Sequence, residues 1–150
     1  MKKKAALSAV FFLCALLTTP YIAASSITSH QQQSSYQLMS AENKAMQDDA
    51  SLNPAMFWVG DGESLWQAKG SPNTKSCASC HGDVKKSMRG VATQFPKVIK
   101  GKLQTLEGQI NQCREARQGA PKLAYESKDL LALTALIALQ SKGMPISVKE

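Results

Sequence analysis

Hydrophobic and polar positions divide this chain into stretches of different character. Lys2, Lys3 and Lys4 precede an apolar run over residues 5–17, centred on Phe11, Phe12 and Leu13, and Thr18-Thr19-Pro20 closes it. Small residues follow at Ala23 and Ala24. This order predicts a secretory signal over 1–24, cleaved after Ala24. From Ser25 the pattern turns polar and rich in Ser and Gln, which predicts a flexible leader over 25–50, with His30 in it. Asn53-Pro54 marks a turn, after which Met56, Phe57 and Trp58 are expected to enter a core. A short helix is expected to begin at Gly62, with Leu65 and Trp66 pointing inward, and to break at residues 70–73. Leu103, Leu106, Ile110 and Cys113 or Arg114 fall at helical spacing and predict a helix over 103–118, stopped by Gly119 and Pro121. Ser127 and Asp129 open a last helix whose broad apolar face carries Leu130, Leu131, Leu133, Leu136, Ile137 and Leu139, and Gly143 and Pro145 end it. No stretch alternates with the period of a strand. The expectation is an all-α domain over 51–150.

The apolar run near the start bears on location. It is shorter than the ~20 residues that a spanning helix needs, so no permanent membrane anchor is expected. A lipoprotein signal fits less well, because Phe12-Leu13 precedes Cys14 where a small residue belongs. The predicted location is the periplasm. The 150 residues suit one domain with extras and exclude a large multidomain machine.

Cleavage changes the charge. The formal value of +7 falls to +4 when three lysines leave. What remains is unevenly spread. Residues 41–63 carry five carboxylates against Lys44, whereas residues 75–122 carry ten cations against three carboxylates. Such a basic stretch is a solvated face, a docking rim for an acidic partner, or a counterweight to acidic groups on a cofactor. Nucleic acid is not expected, because an exported chain without interleaved exposed aromatics lacks the means to stack bases.

Cysteine usage narrows the chemistry. Cleavage removes Cys14 and leaves Cys77, Cys80 and Cys113, an odd number that does not suit a closed disulfide framework. Cys77-Ala78-Ser79-Cys80-His81 is the C-x-x-C-H signature of covalent c-type haem attachment. Two thiols three residues apart on one helical turn suit the two vinyl groups of a porphyrin edge. The adjacent histidine then lies under the iron as proximal ligand. A thioredoxin-like couple wants a βαβ setting that the pattern lacks. Half a zinc site would need two more ligands, and only Cys113 and His30 remain, at unsuitable spacing. A structural disulfide leaves His81 unexplained. The expectation becomes a small cytochrome c-like domain of three to five helices wrapped around one covalent haem c.

The sulfur candidates for the distal side of the iron are Met88, Cys113 and Met144. Met88 follows His81 too closely to cross the porphyrin, and Met144 lies beyond the last helix. Cys113 precedes that helix, 32 residues after His81. Arg114 beside it and Arg117 one helical turn on favour a thiolate there. The rival readings of Cys113 are a buried free thiol and an intermolecular disulfide.

Larger blocks carry a resemblance. They include residues 53–59, 62–66, 77–83, 88–92, Phe95-Pro96, 110–114, 125–127 and 130–145, which ends in Gln140-Ser141-Lys142-Gly143-Met144-Pro145. Over roughly residues 50–148 the chain resembles the N-terminal haem domain of SoxA, the larger cytochrome subunit of the SoxAX thiosulfate-oxidising complex. The resemblance implies His/Cys ligation with Cys113 as the matching cysteine. It also implies a SoxX-like partner and, beyond it, a sulfur-carrier protein. The family's L-cysteine S-thiosulfotransferase chemistry belongs to a second haem domain, expected to begin where these 150 residues end, so no catalytic residue is carried over. The function expected is electron transfer or assembly in sulfur oxidation. The alternatives are a direct part in the thiosulfotransferase reaction, a purely structural docking module, and a general periplasmic electron shuttle.

Overall fold

The apolar stretch near the C-terminus forms the helix against which much of the core is packed. The computed structural model describes residues 35–148. These fall into two units, one ending at Leu38 and one beginning at Met39. The first contributes the single turn α1 (Ser35–Leu38), and the second contains every other element named below. The predicted signal, His30 and residues 25–34 of the Ser- and Gln-rich leader lie outside the described residues. The last part of that leader, Ala41–Asp48, is helix α2, capped by the Ser40 hydroxyl.

Helix α7 (Lys128–Leu139) starts as expected, with Ser127 Oγ accepting from the Leu130 amide. Leu130, Leu133 and Leu136 are fully buried and Ile137 nearly so, while Leu131 faces solvent. Helix α3 (Ala55–Gln67) packs along it. It begins seven residues before the expected start at Gly62. The Asn53 carboxamide accepts the Ala55 amide hydrogen at 2.9 Å, and Gly60 and Gly62 are simply internal positions. Gly62 is the point of closest approach: a Cβ there would fall on the Ala132 carbonyl oxygen and 2.9 Å from Leu136 Cβ. Val59, Gly62 and Trp66 form the buried stripe, and Leu65 is half-buried against the core. The expected burial of Met56, Phe57 and Trp58 needs correction. Met56 packs partly against the core, but Phe57 is 81% exposed and Trp58 39%. Once the helix begins at Ala55, its winding turns those two aromatics away from the Val59 and Trp66 face.

Two single turns follow, α4 (Cys77–His81) and α5 (Val84–Ser87). A 3₁₀ turn at Ala92–Gln94 is tied to the C-terminal segment: Ser141 Oγ accepts from the Ala92 amide, and the Thr93 carbonyl accepts from the Ser147 amide. The Phe95–Pro96 peptide is cis.

Next comes a hairpin that the pattern did not suggest. β1 (Lys97–Ile99) and β2 (Lys102–Gln104) pair antiparallel with Val98 opposite Leu103. Lys100 and Gly101 both have positive φ, the arrangement of a two-residue hairpin turn. Three residues per strand are too few to register as alternation. Leu103, expected on a helix, is therefore an exposed strand residue. The helix there is α6 (Leu106–Cys113), capped by Thr105 Oγ1. It continues as a π-helical turn, Arg114–Gln118, before Gly119 ends it in the left-handed conformation. The domain is thus all-α apart from the hairpin. The count exceeds three to five helices because α1, α4 and α5 are each about one turn long. Among the described residues no helix is long and apolar enough to cross a membrane.

Candidate haem-binding site

The C-x-x-C-H segment is a helical turn because its neighbours cap it twice. Ser76 Oγ accepts from the Ser79 amide at 3.0 Å, and Ser79 Oγ accepts from the Ser76 amide at 3.2 Å. Gly82, at φ 64°, ends the turn after His81. Helical winding puts Cys80 and His81 three and four residues beyond Cys77, on neighbouring parts of one surface. Trp66 braces this turn from α3: its indole N–H donates to the Gly82 carbonyl at 2.9 Å, and its ring lies 5.8 Å from the His81 ring, centroid to centroid, tilted by 39°.

Cys77 and His81 open onto a cavity of about 400 Å³. Its walls are mostly apolar, with Met88, Phe95, Ile110 and Leu133 among them, and Lys97 and Arg114 supply positive charge. Cys113 also lines it. The cavity thus brings together Cys77, His81 and Cys113. Cys80 is exposed and contributes no wall. All three cysteines are free. Burial pushes the Cys77 thiol above its ordinary range, opposed by a hydrogen bond from Gln118. The nearby Cys113 sulfur adds to the rise and the Arg114 guanidinium opposes it. Among the described residues no three of His, Cys, Asp and Glu gather as a bare metal ion would require.

The SoxA/TsdA cytochrome c domain model matches residues 61–146. The chain belongs to that family. Among curated relatives it is 38% identical to the L-cysteine S-thiosulfotransferase subunit SoxA of Rhodovulum sulfidophilum over 109 residues, covering 71% of this chain and 38% of that protein. It is 39% identical over 99 residues to the same subunit of Paracoccus pantotrophus, covering 65% of this chain and 34% of that one. The crystal structure of SoxXA from P. pantotrophus contains a similar chain, with a TM-score of 0.68 and 35% identity, over 77% of this chain and 44% of that chain. The chain therefore spans a little over a third of the length of the curated relatives it matches.

A cytochrome c domain implies covalently bound haem c, and the SoxA/TsdA-type cavity fits one. It offers apolar walls for a porphyrin face, a free thiol and an imidazole from α4, and a second sulfur from α6. Of the other sulfur candidates, Met144 does not line the cavity, but Met88 does, from a buried position in the core. Sequence distance alone had set Met88 aside. Arg117, expected one turn from Cys113 on the same face, is exposed and away from the cavity, because the π turn changes the winding. Gln118 takes its place. This buried amide donates to Cys77 Sγ at 3.2 Å, and no sequence signal singled it out. Asn111 was overlooked in the same way. Its side chain pairs with both backbone groups of Leu123, at 2.8 and 3.0 Å, and so ties the 119–127 loop to the helix carrying Cys113.

Proposed function

We propose that this chain is an exported, periplasmic, SoxA-like c-type cytochrome binding one haem. It would act in electron transfer or complex assembly for thiosulfate oxidation, beside a SoxX-like cytochrome and a sulfur-carrier protein. Cys77 and Cys80 would hold the cofactor as thioethers, and His81 and Cys113 would be the ligands of its iron. The observation that carries this reading is the convergence of Cys77, His81 and Cys113 on one apolar cavity, although 32 residues separate the last two. The similarity to SoxA subunits and to a SoxXA chain supports the setting.

The haem, when bound, supplies a one-electron couple. The protein's part is to set its level. Trp66 packs beside the His81 ring and bonds the Gly82 carbonyl, which holds the proximal side in place. Arg114 lies next to Cys113 and lines the same cavity, so its guanidinium would attract an iron-bound thiolate there. A thiolate ligand stabilises ferric iron and keeps the potential low.

Replacing Cys113 tests the assignment. Cys113→Ala is expected to change the low-spin ferric spectrum and to raise the midpoint potential by on the order of 0.1 V, within the ~0.8 V that axial ligands span. An unchanged spectrum and potential would remove Cys113 from the iron and leave Met88 as the sulfur to examine.

A further inference from the structure

We propose that Gln118 is a positioning residue for haem attachment, holding the Cys77 sulfur in the orientation in which its thioether forms. The proposal rests on the haem reading above and goes beyond it in naming a residue that acts on Cys77.

The argument begins with the winding of one turn. After Cys113 the chain leaves the α-helix and forms a π turn over Arg114–Gln118. Had the α-helix continued, Ala116 and Arg117 would lie on the Cys113 side. Both are exposed instead. The wider turn delivers the fifth residue, so Cys113, Arg114 and Gln118 line the cavity while Glu115, Ala116 and Arg117 do not. Turns of this kind are rare and are frequently found at functional sites.

Chemistry supports the same conclusion. Gln118 is 7% exposed, and its amide nitrogen lies 3.2 Å from Cys77 Sγ, across 41 residues of sequence. Its backbone carbonyl also accepts from the Lys75 amide at 3.3 Å, just before the attachment turn. A buried carboxamide carries a desolvation cost that an apolar residue of similar bulk would avoid, so packing does not explain it. A donor on the sulfur does: it engages one lone pair and thereby fixes the direction of the S–H bond. In attachment, the Cys77 S–H adds across a vinyl group. A carbon–sulfur bond forms at the inner vinyl carbon, the carbon–carbon double bond becomes single, and the thiol hydrogen goes to the terminal carbon. No oxidant or reductant is consumed. Cys80, exposed and without a comparable buried donor, does not share this constraint.

The test is Gln118→Leu in the full chain, matured in cells that attach haem c. Peptide mass mapping and the alkaline pyridine spectrum report how many thioethers form. The ratio of two-thioether to one-thioether protein is expected to fall roughly five- to tenfold, the factor that one hydrogen bond of ordinary strength carries. The remaining haem should be held by Cys80 alone, with the pyridine band moved to longer wavelength. In a Cys77→Ala background, adding Gln118→Leu should not change the attached fraction and should not lower the melting temperature. An unchanged thioether ratio would overturn the proposal. So would an equal loss in the Cys77→Ala background, or failure to fold in both backgrounds, since either gives Gln118 a packing role. Absence of covalent haem from the unaltered chain would sink the haem reading itself, and the proposal with it.

Discussion

Two glycines in helix α3 have opposite reasons to be there, and the difference is measurable. Gly62 lies where α3 meets α7, so a methyl group would be driven into the Ala132 carbonyl and Leu136. Gly62→Ala is expected to destabilise the domain by about 1–3 kcal/mol through overpacking, despite the better helix propensity of alanine. A methyl group on Gly60 would meet nothing within 4 Å, so Gly60→Ala should stabilise by up to about 1 kcal/mol. Denaturant melts of the two variants decide it, and equal effects would contradict the close approach. Asp49 offers a pH-dependent case. Hydrogen bonds from the Ser51 hydroxyl, and then from the Ser51 amide, hold its carboxyl below the usual range. The folded protein therefore binds this proton less readily than the unfolded chain. The contribution to stability is present above the ordinary carboxylate pKa and is lost as pH falls through the lowered one. Because the group is exposed, the effect is small. The melting temperature of Asp49→Asn should lie below that of the unaltered chain at about pH 6, and the gap should close towards about pH 3.

Helix α6 shows what a single element demands of its surroundings. It carries Cys113, and Asn111 fastens it to the following loop through both Leu123 backbone groups. Asn111→Ala would leave that donor and acceptor without partners in a part-buried place, at an expected cost of about 2–4 kcal/mol. Faster hydrogen exchange at the Leu123 amide should accompany the loss, and unchanged exchange would place the anchor elsewhere. Neither Asn111 nor Gln118 was legible in the sequence, because each works through a tertiary contact rather than a repeat or motif. By contrast, α7 was legible almost entirely: its cap, acidic first turn and apolar face are local signals that point the same way. That Cys77, Cys80 and His81 share one helical turn was also readable, since C-x-x-C-H states its own spacing. Helix α3 was misjudged because glycine normally weakens a helix, and here Gly62 is kept for contact between helices. The hairpin was missed because Lys100-Gly101 is a local turn signal too short to stand out beside strands of three residues. The π turn has no signature at all in the residue pattern, yet it decides which side chains join Cys113 at the cavity.

At the scale of the whole molecule, the question is whether this haem domain can do what its relatives' names describe. Those relatives are thiosulfotransferase subunits, and the chain corresponds to 38% of the length of one of them. For this chain to carry sulfur itself on the way to a carrier cysteine, one of its own thiols would have to be free to take it up. In the proposed arrangement, Cys77 and Cys80 are consumed as thioethers and Cys113 is bound to iron. No thiol among the described residues is then left to act as carrier, because the domain's cysteines are these three. The matured chain is therefore expected to accept and donate electrons but to transfer no sulfur by itself. Incubation with thiosulfate, an electron acceptor and a protein bearing an accessible cysteine should leave the mass of that protein unchanged, although added dithionite reduces the haem and ferricyanide reoxidises it. Sustained mass addition that depends on this chain would overturn the electron-transfer reading. If Cys113→Ala then abolished that addition, the sulfur would lie on Cys113, and the iron would have to find its distal ligand elsewhere.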